Sequence, residues 1–285
     1  MTEVEGSARA LCPERPVPNQ YLQIDGVATY VHHTGETTLP GTPLRQGHGH
    51  VVVCLHGAGG NGHLFADLMS ELEAFHTVIA FDQPGHGRSG SLDSLGEIEA
   101  MAKFTGRVID ELEISRAVLL GHEMGAAVAL QTAHDRPQQT AGLVLCSAGF
   151  SFAPPEERVD QMGRVRDGKE KRPFDPTAFA SKTSPEVMKK AFMEGMKTDP
   201  RATYGDLLAC QQWTGGARLA EILAPTLVVN GTEDREPIRS TAAHLTQKLK
   251  TAELKTVEDT GHALLLENPE AVARWVRKFL ERVPA

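Results

Sequence analysis

The sequence predicts an α/β architecture: a mostly parallel central sheet with helices on both faces and a helical insertion. Three observations predict it. Short, β-branched-rich apolar runs recur at 51–55, 77–81, 117–120, 142–146 and 226–229, as strands buried on both faces should read. Helical stretches at 62–73, 95–113, 124–135 and 238–249 separate these runs, and strands alternating with helices build a parallel sheet. The alternation breaks once, between about 150 and 216, where Pro154, Pro155, Pro173, Pro176, Pro185 and Pro200 punctuate helical pieces such as 186–196 and 204–213.

In chain order, residues 1–19 hold Gly6, Pro13, Pro16 and Pro18 without periodicity, and are expected to form a loose tail. Alternating segments 21–25 and 27–33 flank Asp25-Gly26, a strong hairpin signal. A Gly/Pro-rich loop, 34–49, leads into the first parallel strand. After the last apolar run and the helix 238–249, a terminal helix over 268–280 opens on Asn268-Pro269-Glu270, a cap followed by proline in the first turn.

Composition excludes several classes of function. With 285 residues the chain can bury a substantial core, and 40% hydrophobic with 23% charged residues suits a globular domain. A net charge of −8 argues against nucleic acid, whose binding needs clustered Lys and Arg. The basic stretches 169–172 and 248–255 read as solvated faces. Cys12, Cys54, Cys146 and Cys210 lack metal-ligand spacing, and no apolar stretch is long enough to span a membrane. The acidic start, Met1 to Gly6, has no apolar signal region, so a cytoplasmic location is expected.

Four segments at the ends of successive strands carry chemistry, and in open α/β sheets ligands bind outside the carboxyl ends of the strands. His56-Gly57-Ala58-Gly59-Gly60 can aim backbone amides into a cavity. The segment 82–89 is a rigid turn. Gly121-His122-Glu123-Met124-Gly125 permits a sharp strand-to-helix turn that thrusts Glu123 outward. Asp234 follows the run 226–229, and His262 follows the final strand.

In this order and register the segments resemble the α/β-hydrolase superfamily, from about residue 21 to 280. The resemblance implies an α/β-hydrolase fold, with a core of 20–149 and 217–285 and a helical cap over 150–216. It implies a small-molecule hydrolase acting on an ester, lactone or related bond, with no cofactor and no metal. His262 would be the base, Asp234 its orienting acid, and the amides of Ala58 and Met124 the oxyanion hole. His56, Gly57, His122, Tyr204 and Trp213 are expected to contact substrate. Family esterases, lactonases and C–C bond hydrolases place serine at the turn, whereas dehalogenases and epoxide hydrolases place aspartate; this chain has Glu123.

Three roles are open to that carboxylate. It can attack an electrophilic carbon and form an ester or anhydride that a His262-activated water hydrolyses. It can fold back onto the Ala58 and Met124 amides and silence the site, leaving a ligand-binding relative. It can act as a general base without a covalent intermediate. A rival from another class comes from Gly57 to Gly62, which spells G-x-G-x-x-G before a helix with Asp82 further on, the fingerprint of an NAD-dependent oxidoreductase. Against it stand the preceding hairpin and the Gly121–Gly125 turn, which a dehydrogenase does not explain.

Overall fold

The computed structural model describes residues 19–35 and 46–284. Of the expected tail only Asn19 lies within them, and the loop expected over 34–49 falls largely outside.

The chain opens with strands β1 (Asn19–Ile24) and β2 (Val27–His33), paired antiparallel across Asp25-Gly26. Asp25 and Gly26 take φ of 48° and 81°, the two positive values that a tight hairpin turn of the favoured hand requires. Six further strands follow: β3 (Val51–Leu55), β4 (Thr77–Phe81), β5 (Ala117–His122), β6 (Thr140–Cys146), β7 (Thr226–Gly231) and β8 (Ala252–Val257). They form one eight-stranded sheet in the order β1-β2-β4-β3-β5-β6-β7-β8. Only the β1–β2 and β2–β4 pairs are antiparallel.

The apolar runs are buried because helices cover both faces. On one face α2 (Ile98–Glu111) and α3 (Met124–Asp135) pack with Val53, Leu55, Leu119 and Leu143. On the other, α1 (Ala66–Leu72) and α9 (Pro269–Leu280) pack against Val52, Cys54, Val118 and Val144. Alternate residues of one strand thus serve opposite cores, as the two-residue period of a strand dictates. Cys54, Cys146 and Cys210 are buried free thiols.

Between β6 and β7 the chain leaves the sheet and forms α4 (Glu156–Arg166), α5 (Pro185–Gly195) and α6 (Pro200–Gln212). Asp199 and Ser184 cap α6 and α5 through their side chains, each followed by proline at the helix start. Helix α4 carries Val159, Met162 and Val165 along one side, which meet Leu207 of α6 in a small separate cluster. Helix α7 (Ile238–Lys248) connects β7 to β8, and the single turn α8 (Leu264–Glu267) follows β8 and leads into α9. Among the described residues no helix is long and apolar enough to cross a membrane.

Candidate active site

Strand β5 turns into α3 at Glu123, which takes φ 50° and ψ −114°. A side chain in that region of backbone space costs on the order of 1–3 kcal/mol, and such strain collects at functional sites. The two flanking glycines make the turn possible. A Cβ on Gly121 would lie 2.1 Å from the Gly125 carbonyl oxygen, and one on Gly125 would lie 2.0 Å from the Leu55 carbonyl oxygen. The turn therefore packs backbone against backbone and lifts Glu123 above the sheet.

The Glu123 carboxylate divides its two oxygens. Oε2 accepts the Ala58 amide at 2.7 Å. Oε1 faces the Arg158 guanidinium of α4, with 3.7 Å to Nη1. No bond joins the carboxylate to the Met124 amide among the described residues, so of the two amides expected to flank it only one does so. Burial pushes this carboxyl's pKa up, but Arg158, His262, the Ala58 amide and His122 together outweigh burial and hold it down at about 2. Glu123 is ionised at neutral pH.

His262 follows β8 and meets Asp234, which follows β7; its Nδ1–H donates to Asp234 Oδ1 at 2.9 Å. That donation leaves Nε2 as the basic nitrogen of the ring. Asp234 also accepts the Arg235 amide at 2.7 Å. Its burial favours the neutral acid, yet the His262 hydrogen bond and charge keep it below the usual carboxylate range. The His262 backbone is fixed as well: its carbonyl accepts His122 Nε2–H at 2.9 Å and Ser147 Oγ–H at 3.0 Å. Burial, then the neighbouring His262, lowers His122 to about 4, so it acts as a neutral donor.

The glycine loop after β3 is held by carboxylates. Gly59 N–H donates to Asp206 Oδ2 at 2.9 Å, and Gly62 N–H to Asp82 Oδ1 at 2.6 Å. Gly60 N–H turns back to the Gly57 carbonyl. With Ala58 committed to Glu123, these amides leave no cradle for a pyrophosphate, and the dinucleotide reading of this loop has no support in its geometry. Asp206, from α6, also receives His86 Nε2–H at 2.7 Å, while His86 Nδ1–H donates to the Pro84 carbonyl at 3.0 Å. Both ring nitrogens thus donate, the pattern of an imidazolium. Burial works against that charge, and Asp206 overcomes it, raising the His86 pKa.

A cavity of about 980 Å³ and a smaller one of about 240 Å³ meet at Glu123, Ala58 and His262, which line both. Gly57 and His122 line the smaller one. The other expected contacts stand elsewhere. His56 lies beneath the loop, its Nδ1–H on the Gly57 carbonyl and its Nε2 accepting the Gln83 amide. Tyr204 packs on α4 under the Arg166 guanidinium, 4.2 Å from the ring centre. Trp213 meets Phe152 edge-to-face, and its indole N–H donates to Gln131. Neither Tyr204 nor Trp213 reaches the cavity wall, since α4 and Phe152 take that place. Among the residues that do reach it and escaped the sequence reading are Arg158, Arg172 and Arg235. Among the described residues, no group of three or more His, Cys, Asp or Glu is arranged to hold a metal ion.

A mostly parallel sheet of this order, with a strained strand-to-helix turn after β5 and an acid–histidine pair after β7 and β8, defines an α/β-hydrolase fold. The chain belongs to the alpha/beta hydrolase family, whose model matches residues 52–275. It is 30% identical over 251 residues to a poly(3-hydroxyalkanoate) depolymerase of Ectopseudomonas oleovorans, covering 85% of this chain and 88% of that one. It is 32% identical over 254 residues to the putative carbamate hydrolase RutD of Variovorax paradoxus, covering 83% and 94%. Among solved structures, the enol-lactonase from Burkholderia xenovorans LB400 superposes with a TM-score of 0.80 at 21% identity, covering 92% and 100%. At that identity the last likeness concerns the fold.

Proposed function

We propose that this chain is a small-molecule hydrolase, cutting an ester, lactone or related carbon–heteroatom bond, with Glu123, His262 and Asp234 at the catalytic positions. The observation that carries the reading is the division of the Glu123 carboxylate: Oε2 anchored on the Ala58 amide at 2.7 Å and Oε1 facing Arg158, a residue of the cavity wall, at 3.7 Å. Oε1 attacks the electrophilic carbon, and the leaving group departs with the electron pair of the broken bond. The product of this step is an ester or anhydride on Glu123. Its carbonyl oxygen is Oε2, already at the amide that stabilises the oxyanion of the second step. His262 Nε2 takes a proton from water, and the hydroxide adds to the Glu123 carbonyl carbon. Collapse expels the substrate oxygen, which takes the His262 proton, and the Glu123 carboxyl left behind gives water's second proton to solvent or to the first leaving group and returns to a carboxylate. Asp234 stabilises the imidazolium between these events. The α4–α6 insertion forms a cap over the site.

The same hydrogen bond favours one second reading. A carboxylate on the Ala58 amide fills the place where a substrate carbonyl oxygen would sit in a serine-type site, and so blocks it. The experiment compares the parent, Glu123→Gln and Glu123→Ser on a panel of chromogenic esters, lactones, epoxides and alkyl halides. Turnover by the parent that Glu123→Gln loses, by about 10⁴-fold or more, supports the covalent reading. A silent parent with ester hydrolysis appearing only in Glu123→Ser establishes the blocked site instead.

A further inference from the structure

The two compartments that meet at Glu123 differ in character. Leu64, Phe179, Phe192 and Leu266 line only the smaller, whereas Arg158, Arg172 and Arg235 line both. The guanidinium groups on the shared wall are short of partners. The Arg158 guanidinium makes no hydrogen bond among the described residues; Glu123 Oε1 at 3.7 Å lies beyond hydrogen-bond reach. Arg235 gives Nη2 to Asp175 Oδ2 at 2.6 Å, while its buried Nε has no partner. The Arg235 side chain is only 17% exposed, and burial, then the facing Arg158, lowers its pKa. Arg172 differs, because the Gly195 and Thr198 carbonyls take its donors at 2.7 and 2.8 Å. Four arginines and four carboxylates line the larger compartment, so what is left over is hydrogen-bonding capacity, the donors of the Arg158 guanidinium and the buried Nε of Arg235, and not net charge.

We propose that the Arg158–Arg235 edge binds a carboxylate of the substrate, which makes the substrate an amphipathic anion. Its compact apolar group fills the pocket beside Phe179 and Phe192, its carboxylate lies along α4, and the bond to be cut falls between them at Glu123. A guanidinium presents paired donors that match a planar carboxylate, and such charge-assisted bonds are the stronger kind. The placement of the reacting bond rests on the reading of Glu123 given above; the anion site itself does not.

Isothermal titration with phenylbutyrate and phenylbutyramide, nearly isosteric and differing in charge, tests the proposal without turnover. The parent is expected to bind the carboxylate about tenfold tighter than the amide, the worth of a charge-assisted hydrogen bond. Arg158→Gln and Arg235→Gln each reduce that preference, and Arg158→Lys keeps much of it. Amide binding unchanged across the set shows that each variant is folded, and Arg158, on a half-exposed helix face, leaves the core untouched. Equal affinity of the parent for the two probes overturns the proposal, as does a preference that survives both glutamine variants. Equal affinity beside Glu123-dependent turnover removes the anion site alone. A parent preference that the glutamine variants reduce, without such turnover, removes the Glu123 reading alone.

Discussion

Ala58 and Glu123 stand on different loops, after β3 and after β5, and a 2.7 Å hydrogen bond from the Ala58 amide to Oε2 joins them. The bond fixes which oxygen of the carboxylate is held and which is free. It also ties the free one to α4, because Oε1 faces Arg158 at 3.7 Å. On the reading proposed above, an ionised carboxylate with one oxygen anchored and the other left without a hydrogen bond serves as the nucleophile. It pays no cost of deprotonation and little of orientation.

The backbone at Glu123 is under strain whatever its side chain does. At φ 50° a residue with a Cβ is disfavoured by about 1 kcal/mol or more relative to glycine. Glu123→Ala and Glu123→Gly remove the same hydrogen bond and the same charge, so their difference isolates the backbone. Urea denaturation is expected to find the glycine variant about 1 kcal/mol more stable than the alanine variant, with both inactive. Equal stabilities would mean that the turn is relaxed in solution.

The buried His86–Asp206 pair links α6 to the loop that carries the Ala58 amide. The His86 pKa is raised above its ordinary 6.5, so its stabilising contribution is full below that value. It is lost as pH rises through the raised folded value. Asp206→Asn removes the charge partner of a fully buried imidazole and loosens the Gly59 amide. Breaking such a pair costs about 3–5 kcal/mol, and the variant's stability should fall less steeply than the parent's above pH 6.5. Urea midpoints for both proteins from neutral to alkaline pH check this; parallel curves would show that His86 is neutral in the folded state.

Much of this arrangement was legible in the residues because it is local. The glycines of Gly121–Gly125 announce a turn too tight for any side chain, and the distances from Gly121 to Gly125 and from Gly125 to Leu55 bear that out. Strands β3 to β7 read clearly because both faces are buried. Strand β8 did not, since its edge position leaves most of Ala252–Val257 half-buried, with Glu253 and Lys255 among its residues. Helix α4 was hidden by its polarity, although its signals were present: Pro154-Pro155 before Glu156-Glu157, arginines in the last turn, and Val159, Met162 and Val165 at helical spacing. With α4 unseen, Arg158 had no address. Asp206, and Asp175 that pairs with Arg235, reach the site only through the packing of the insertion on the sheet, which no local pattern encodes. Tyr204 shows the converse: its residue type invited a role, and the α4–α6 contact turned it away from the cavity.

The central claim is that the substrate becomes covalently attached to Glu123. Mass spectrometry of the His262→Gln variant, incubated with any panel member that the parent turns over, tests it most directly. Attack by Glu123 does not need His262, but hydrolysis of the adduct does. The account predicts a stoichiometric mass gain equal to the substrate less its leaving group, mapped to the peptide containing Glu123 and absent in the Glu123→Gln, His262→Gln double variant. A variant that releases no leaving group and gains no mass, or an adduct on any other residue, would contradict it.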